Sequence, residues 1–188
     1  MRTWESIVLH HSLTRDGKVV DAEAIRRFHK SWRLGGMILT PEEAHRKLGE
    51  GVRGIIGPWK DIGYHWLIER VGGVLHTIEG RSMELDGAHC KEGNMNHHAL
   101  GICLVGNYNK TDETREPPGS GPPDRELLIA LGHLIVRLHD DGRWTPPTDK
   151  SYNILDYVHG HREYATYKLC PGSAFDIAGL KEVTYKFI

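Results

Sequence analysis

Eight consecutive residues, Ala99-Leu100-Gly101-Ile102-Cys103-Leu104-Val105-Gly106, carry no charge and no polar alternation. A run so short and so apolar suits a strand buried on both faces, and it therefore demands covering layers. One cover follows in the chain. Asp124 can N-cap a helix in which Leu127, Leu128, Leu131, Leu134, Ile135 and Leu138 recur at helical spacing until Gly142 ends it. Further strands are expected at Glu5 to Ser12, at Gly63 to Arg70 and Val74 to Glu79 around a Gly72-Gly73 hairpin turn, and near Ile154 to Val158. Strands mixed with covering helices predict an α/β or α+β sheet protein.

Other segments complete the outline. Asp21 can cap a helix from Ala22 to about Arg33, with Ile25, Phe28 and Trp32 on one face, Val20 and Ile25 as a staple, and Gly35-Gly36 as its stop. A second helix is expected after Thr40-Pro41. Its mostly polar residues, Glu42 to Leu48, mark a surface insertion. Asn107 to Pro123, rich in Pro, Gly and charge, predicts a surface loop, and a short helix is expected near Ser173 to Val183.

Charge and cysteine content narrow the partners. With 24 basic and 25 acidic residues, no global field draws the chain to nucleic acid. No apolar stretch approaches the roughly 20 residues that span a bilayer, so no stable membrane association is expected. Three cysteines at irregular spacing make a poor disulfide framework. The start, MRTWESIVLHHS, lacks the pattern of a secretory signal, which predicts synthesis in a cytoplasm.

Thirteen histidines raise the question of a metal. Catalytic zinc takes three protein donors and keeps one open position, with imidazole nitrogen and thiolate among its preferred donors. His10, His161 and Cys170 each stand at or just after a predicted strand end, where a rigid sheet can aim them into one cleft. Two neutral imidazoles and a thiolate leave about one positive charge on the ion, so a nearby cation would help to stabilise a developing oxyanion. Lys168, two residues before Cys170, offers that cation, and Tyr64 offers a phenol to orient reactants. Taken singly, each residue also has an ordinary role. His10 reads as a polar strand end, Cys170 as a small buried hydrophobe, Tyr64 as a strand aromatic and Lys168 as a solvated charge. Cys103 reads as core, and Cys90 as a loop residue.

In order along the chain, IVLHHS, AIRRFHKSW, DIGYHWLIER, the pair Gly80-Arg81, GAHC, NHHALGICLVGNY and HGHREYATYKLCPG resemble the zinc-dependent N-acetylmuramoyl-L-alanine amidases. That family is shared by phage lysozyme-type endolysins and peptidoglycan recognition proteins. The resemblance implies an α/β fold with a central mixed sheet of about five or six strands flanked by helices. It also implies one catalytic domain over 1–188, with an insertion near 33–60 as a rim of the groove. It assigns Zn²⁺ to His10, His161 and Cys170, catalysis to Tyr64 and Lys168, and positions along the cleft to His65, His89 and Asn96. Arg81 could pair with a substrate carboxylate or serve a structural salt bridge. The loop from His161 to Cys170 is one residue longer than in common members, which leaves His159 as a competing ligand. The Gly-His-Arg context favours His161. The implied function is cleavage of the amide between N-acetylmuramic acid and L-alanine of the stem peptide by a monomeric phage or prophage endolysin, made in the host cytoplasm and acting on the wall after release. Its alternative is a peptidoglycan-binding module that does not cut.

Overall fold

The computed structural model describes residues 2–14, 22–112, 119–147 and 153–184. In chain order the elements are β1 (Ser6–His11), α1 (Ala22–His29), β2 (Trp32–Leu34), β3 (Met37–Leu39), α2 (Pro41–Gly49), β4 (Ile55–Ile56), β5 (Trp66–Val71), β6 (Val74–Glu79), α3 (Met95–His98), β7 (Ala99–Leu104), α4 (Arg125–Asp140), β8 (Val158–Gly160), α5 (His161–Tyr164) and α6 (Ile177–Thr184). Five strands form one mixed sheet in the order β6-β5-β7-β1-β8, antiparallel between β5 and β6 and parallel elsewhere. The apolar run at 99–104 is its middle strand, as its composition demands.

Alternation along the central strands divides the core between two faces. Ile7, Leu9, Leu100, Ile102 and Leu104 meet the Leu127, Leu131, Leu134, Ile135 and Leu138 stripe of α4. On the other face, Leu67, Cys103 and Val105 pack on Ala22 and Ile25 of α1, while Val8 and Ala99 pack on Cys90 and Met95. Each fully buried Leu or Ile stabilises the fold by about 1.5–3 kcal/mol. The Asp124 carboxylate accepts from the Leu127 N–H to start α4, and Gly142 follows its end at φ 63°. Gly72 and Gly73 turn the β5–β6 hairpin with φ of 58° and 86°, a conformation that a side chain would strain.

Three segments differ from expectation. The first helix stops at His29, and Trp32–Leu34 instead pairs with β3 and β4 in a separate three-stranded sheet. Gly35-Gly36 is thus a hairpin turn, not a helix stop. Tertiary packing overrides the helical spacing here: Trp32 stacks edge-on against His45 of α2, and the Arg33 guanidinium lies 4.4 Å from the Trp59 ring centre. The expected cap and staple at Asp21 and Val20 lie outside the described residues. Thr40 and Glu43 do form a capping box at the start of α2.

Asn107, Tyr108 and Asn109 are buried rather than on a surface loop. The Tyr108 hydroxyl donates to the Val105 carbonyl, its N–H donates to His11 Nδ1, and Asn109 Oδ1 accepts from the Ser173 N–H. Ile154–Tyr157 is a 3₁₀ turn capped by the Asn153 side chain, so the last strand begins at Val158.

Candidate metal centre and cleft

Strand register brings distant histidines together. Leu9 pairs with Gly160 across β1 and β8, so His10 and His161, the next residues, come level at the C-terminal ends of parallel strands. Their ring centres are 4.7 Å apart. The return of Cys170 is arranged by Arg162: its backbone N–H donates to the Cys170 carbonyl, and its guanidinium donates to the Gly172 and Phe175 carbonyls. Donor atoms of His10, His161 and Cys170 consequently lie within 4.8 Å of one another. His159, the competing histidine, turns away to the Glu163 carboxylate at 3.1 Å. His11 points to the opposite sheet face, where its Nδ1 accepts from the Tyr108 N–H.

The hydrogen-bond pattern assigns the tautomer of His10. His89 Nε2 is 3.2 Å from the Ala99 carbonyl, which can only accept, so the proton sits on that nitrogen. His89 Nδ1 is left to accept from His10 Nε2–H at 3.0 Å. His10 Nδ1 then keeps a free lone pair. Gly101 makes this possible, because a Cβ there would come 2.5 Å from the His89 ring. The Asn96 side-chain oxygen accepts from the N–H groups of His89 and Cys90, which fixes the loop that carries the relay.

A cleft of about 520 Å³ opens beside the cluster. His89, Glu92, Asn96, His161 and Lys168 line it, with Ile56 and Trp59 from the 33–60 region forming part of its wall. The Tyr64 ring centre is 5.2 Å from that of His10 and 5.5 Å from that of His29. His65 and Arg81, expected along the cleft, are not among the residues that line it here. Both His65 nitrogens engage backbone, Nδ1 with the Gly101 N–H and Nε2 with the Leu85 carbonyl. The Arg81 guanidinium donates to the carbonyls of Asp61, Ile62 and Asp86. His29 and Glu92 were not singled out in the sequence. The segment AIRRFHKSW held the only signal for His29, and nothing local marks Glu92.

Electrostatics suit a cation. Burial first, then the neighbouring His89 and His161, lowers the His10 pKa well below its usual value, and burial also lowers His161. Both rings are therefore neutral near pH 7, as metal donors must be. Burial raises the Cys170 thiol, with Lys168 opposing. Burial likewise holds the Tyr64 phenol well above its usual range, helped by the thiols of Cys103 and Cys170. Two imidazoles and one sulfur form a donor set that matches zinc.

The same burial predicts acid sensitivity. Desolvation lowers His11, His29 and His65 to about 4 and His89 to about 3. Depressed imidazoles take up protons more readily in the unfolded chain, so stability is full above the ordinary value near 6.5 and falls as pH drops toward about 4. Each ring contributes at most roughly 3 kcal/mol to that loss. Urea denaturation of the metal-free protein should show a midpoint that declines steeply from pH 7 to pH 4. A flat profile across that range would contradict the neutral buried rings.

A mixed sheet bearing a nitrogen and sulfur donor cluster at its strand ends, beside an open cleft, defines an α/β protein with a candidate metal site. The chain belongs to the N-acetylmuramoyl-L-alanine amidase family, which matches residues 1–173. It is 32% identical over 146 residues to the endolysin of Enterobacteria phage T3, covering 74% of this chain and 76% of that protein. Over 116 residues it is 45% identical to peptidoglycan-recognition protein SC2 of Drosophila melanogaster, covering 61% of this chain but only 50% of that one. Its fold is similar to that of a Drosophila PGRP-LB variant solved with tracheal cytotoxin, at a TM-score of 0.55 and 22% identity over 96% of this chain and 82% of that chain. Among the described residues, no helix is long and apolar enough to cross a membrane.

Proposed function

We propose that this protein is a zinc-dependent peptidoglycan hydrolase, which cuts the amide joining the lactyl group of N-acetylmuramic acid to L-alanine of the stem peptide. The observation that carries this proposal is the meeting of His10, His161 and Cys170 donor atoms within 4.8 Å, beside a cleft, in a chain of the amidase family. Zinc held by these three residues would supply Lewis acidity toward the amide carbonyl and an activated water. The protein's own residues do the rest. His89 holds His10 in the donor tautomer. Tyr64, with its phenol protonated, donates a hydrogen bond that orients carbonyl or water. The Lys168 ammonium on the cleft wall offsets negative charge as it grows on the carbonyl oxygen. The solved complex of PGRP-LB with tracheal cytotoxin supports a muropeptide as the ligand here. Similarity to the T3 endolysin supports a phage or prophage enzyme that is made in the host and reaches the wall at lysis.

Similarity to the insect recognition protein favours a second role, binding without cutting. Retention of Cys170 beside both histidines speaks against it. Zinc-loaded protein should release peptides from purified walls and expose new L-alanine amino termini, detected by end-group labelling and by product mass. Binding to walls with no new termini, despite bound zinc, would leave only the recognition role.

A further inference from the structure

We infer that Glu92 is a positioning residue that sets the proton and the orientation of His161, an inference that rests on the zinc role proposed for His161. Glu92 lies in the turn before α3, with its side chain four-fifths buried. Its Oε2 stands 3.5 Å from His161 Nε2, and its Oε1 accepts from the Tyr167 hydroxyl. Tyr167 belongs to the loop that joins His161 to Cys170, so the carboxylate ties the donor-bearing loop to the opposite wall of the cleft.

The chemical consequence follows from what a carboxylate can do. It accepts and cannot donate, so it keeps the His161 proton on Nε2 and leaves the Nδ1 lone pair free. His10 is treated alike by His89, although there the acceptor is a neutral ring. A negative partner makes the imidazole a stronger donor than a neutral one does, and outer partners of this sort typically change metal affinity by about 10–100-fold. The two histidines are thus held by partners of different charge, and Glu92 is the one whose loss should be felt more.

Cys90, Glu92 and His161 also bring donor atoms within 4.8 Å of one another, which suggests a second ion. That ion would have to remove the Nε2 proton while the same ring served His10 and Cys170. An acceptor that orients the ring leaves that proton in place. Glu92 is therefore assigned to the ring and not to a second metal.

Zinc affinity of the full chain, measured by competition with a chromophoric chelator, tests the assignment. Wild type should bind one zinc per chain. Glu92→Ala should weaken binding by about 10–100-fold, Glu92→Gln, which keeps an acceptor but not the charge, should fall between, and Cys90→Ser should bind as wild type does. Nitrogen-15 spectra of the histidine rings should show His161 protonated on Nε2 in zinc-loaded wild type, and a faster-exchanging ring proton in Glu92→Ala. A merely structural role would alter the melting temperature of the metal-free protein and leave that proton unchanged. Equal affinities for wild type and Glu92→Ala overturn the assignment. Two zincs per chain, one of them lost in Cys90→Ser, overturn it in favour of the second ion. Wild type that binds no zinc, or whose zinc survives Cys170→Ala, overturns the zinc proposal and this inference with it.

Discussion

Cys170→Ala should lose stoichiometric zinc and all detectable release of peptides from purified walls, while the metal-free fold remains. Cys170 supplies the only sulfur of the three-donor cluster. The thiol's hydrogen-bond contact is weak, a 4.0 Å approach to the His11 carbonyl, and the 3.0 Å bond from the Arg162 N–H to the Cys170 carbonyl is made by backbone and survives the substitution. Removing one sulfur from a half-buried loop position should therefore change the stability of the metal-free form by no more than about 1 kcal/mol. Metal affinity should collapse, because two imidazoles alone do not complete a three-donor site. His159→Ala is the matched control. It removes a histidine from the same region, yet one that faces Glu163, so zinc content and turnover should be retained. Metal analysis after gel filtration, with peptide release on the same samples, checks both. Wild-type zinc in Cys170→Ala would sink the assignment of the cluster, and zinc loss in His159→Ala would shift it to the other histidine.

How far the site was legible in the sequence depends on whether its determinants are local. Eight consecutive uncharged, largely apolar residues announce a buried strand, and a leucine stripe announces its cover, so β7 and α4 could be read directly. His10, His161 and Cys170, whose donor atoms the fold brings within 4.8 Å of one another, could be singled out because each sits at a strand end or a turn with distinctive neighbours. Burial of Arg81 and His65 could not be read in this way. Both are polar residues in plausible positions, and only the fold shows that backbone carbonyls and an N–H already use their hydrogen-bonding groups. The segment Trp32-Arg33-Leu34 satisfied a helical spacing and a strand alternation equally well. Its choice was made by partners more than twenty residues away, at Ile55 and Ile56. Glu92 escaped notice for the same reason, since its partners His161 and Tyr167 lie far along the chain.

Tyr64→Phe and Lys168→Ala should each lower kcat by about 10²–10³ and leave zinc content unchanged, the loss expected when one group that stabilises developing charge is removed. The two side chains approach that charge differently. Tyr64 stands against the His10 ring, and burial keeps its phenol protonated across the neutral range, so it can donate a hydrogen bond but cannot act as a base. Lys168 is exposed on the cleft wall and contributes a mobile charge rather than a fixed direction. Arginine at 168 should consequently rescue part of the rate, whereas no substitution at 64 that lacks a hydroxyl should rescue any. If both groups act on the same oxygen, the double variant should lose less than the product of the single losses, because either deletion already leaves that charge poorly stabilised. Single-turnover rates on a defined muropeptide measure all four proteins. Near wild-type rates for Tyr64→Phe, with zinc bound, would remove the phenol from the chemistry and leave it as packing against His10. Full multiplicativity in the double variant would place the two groups on separate steps.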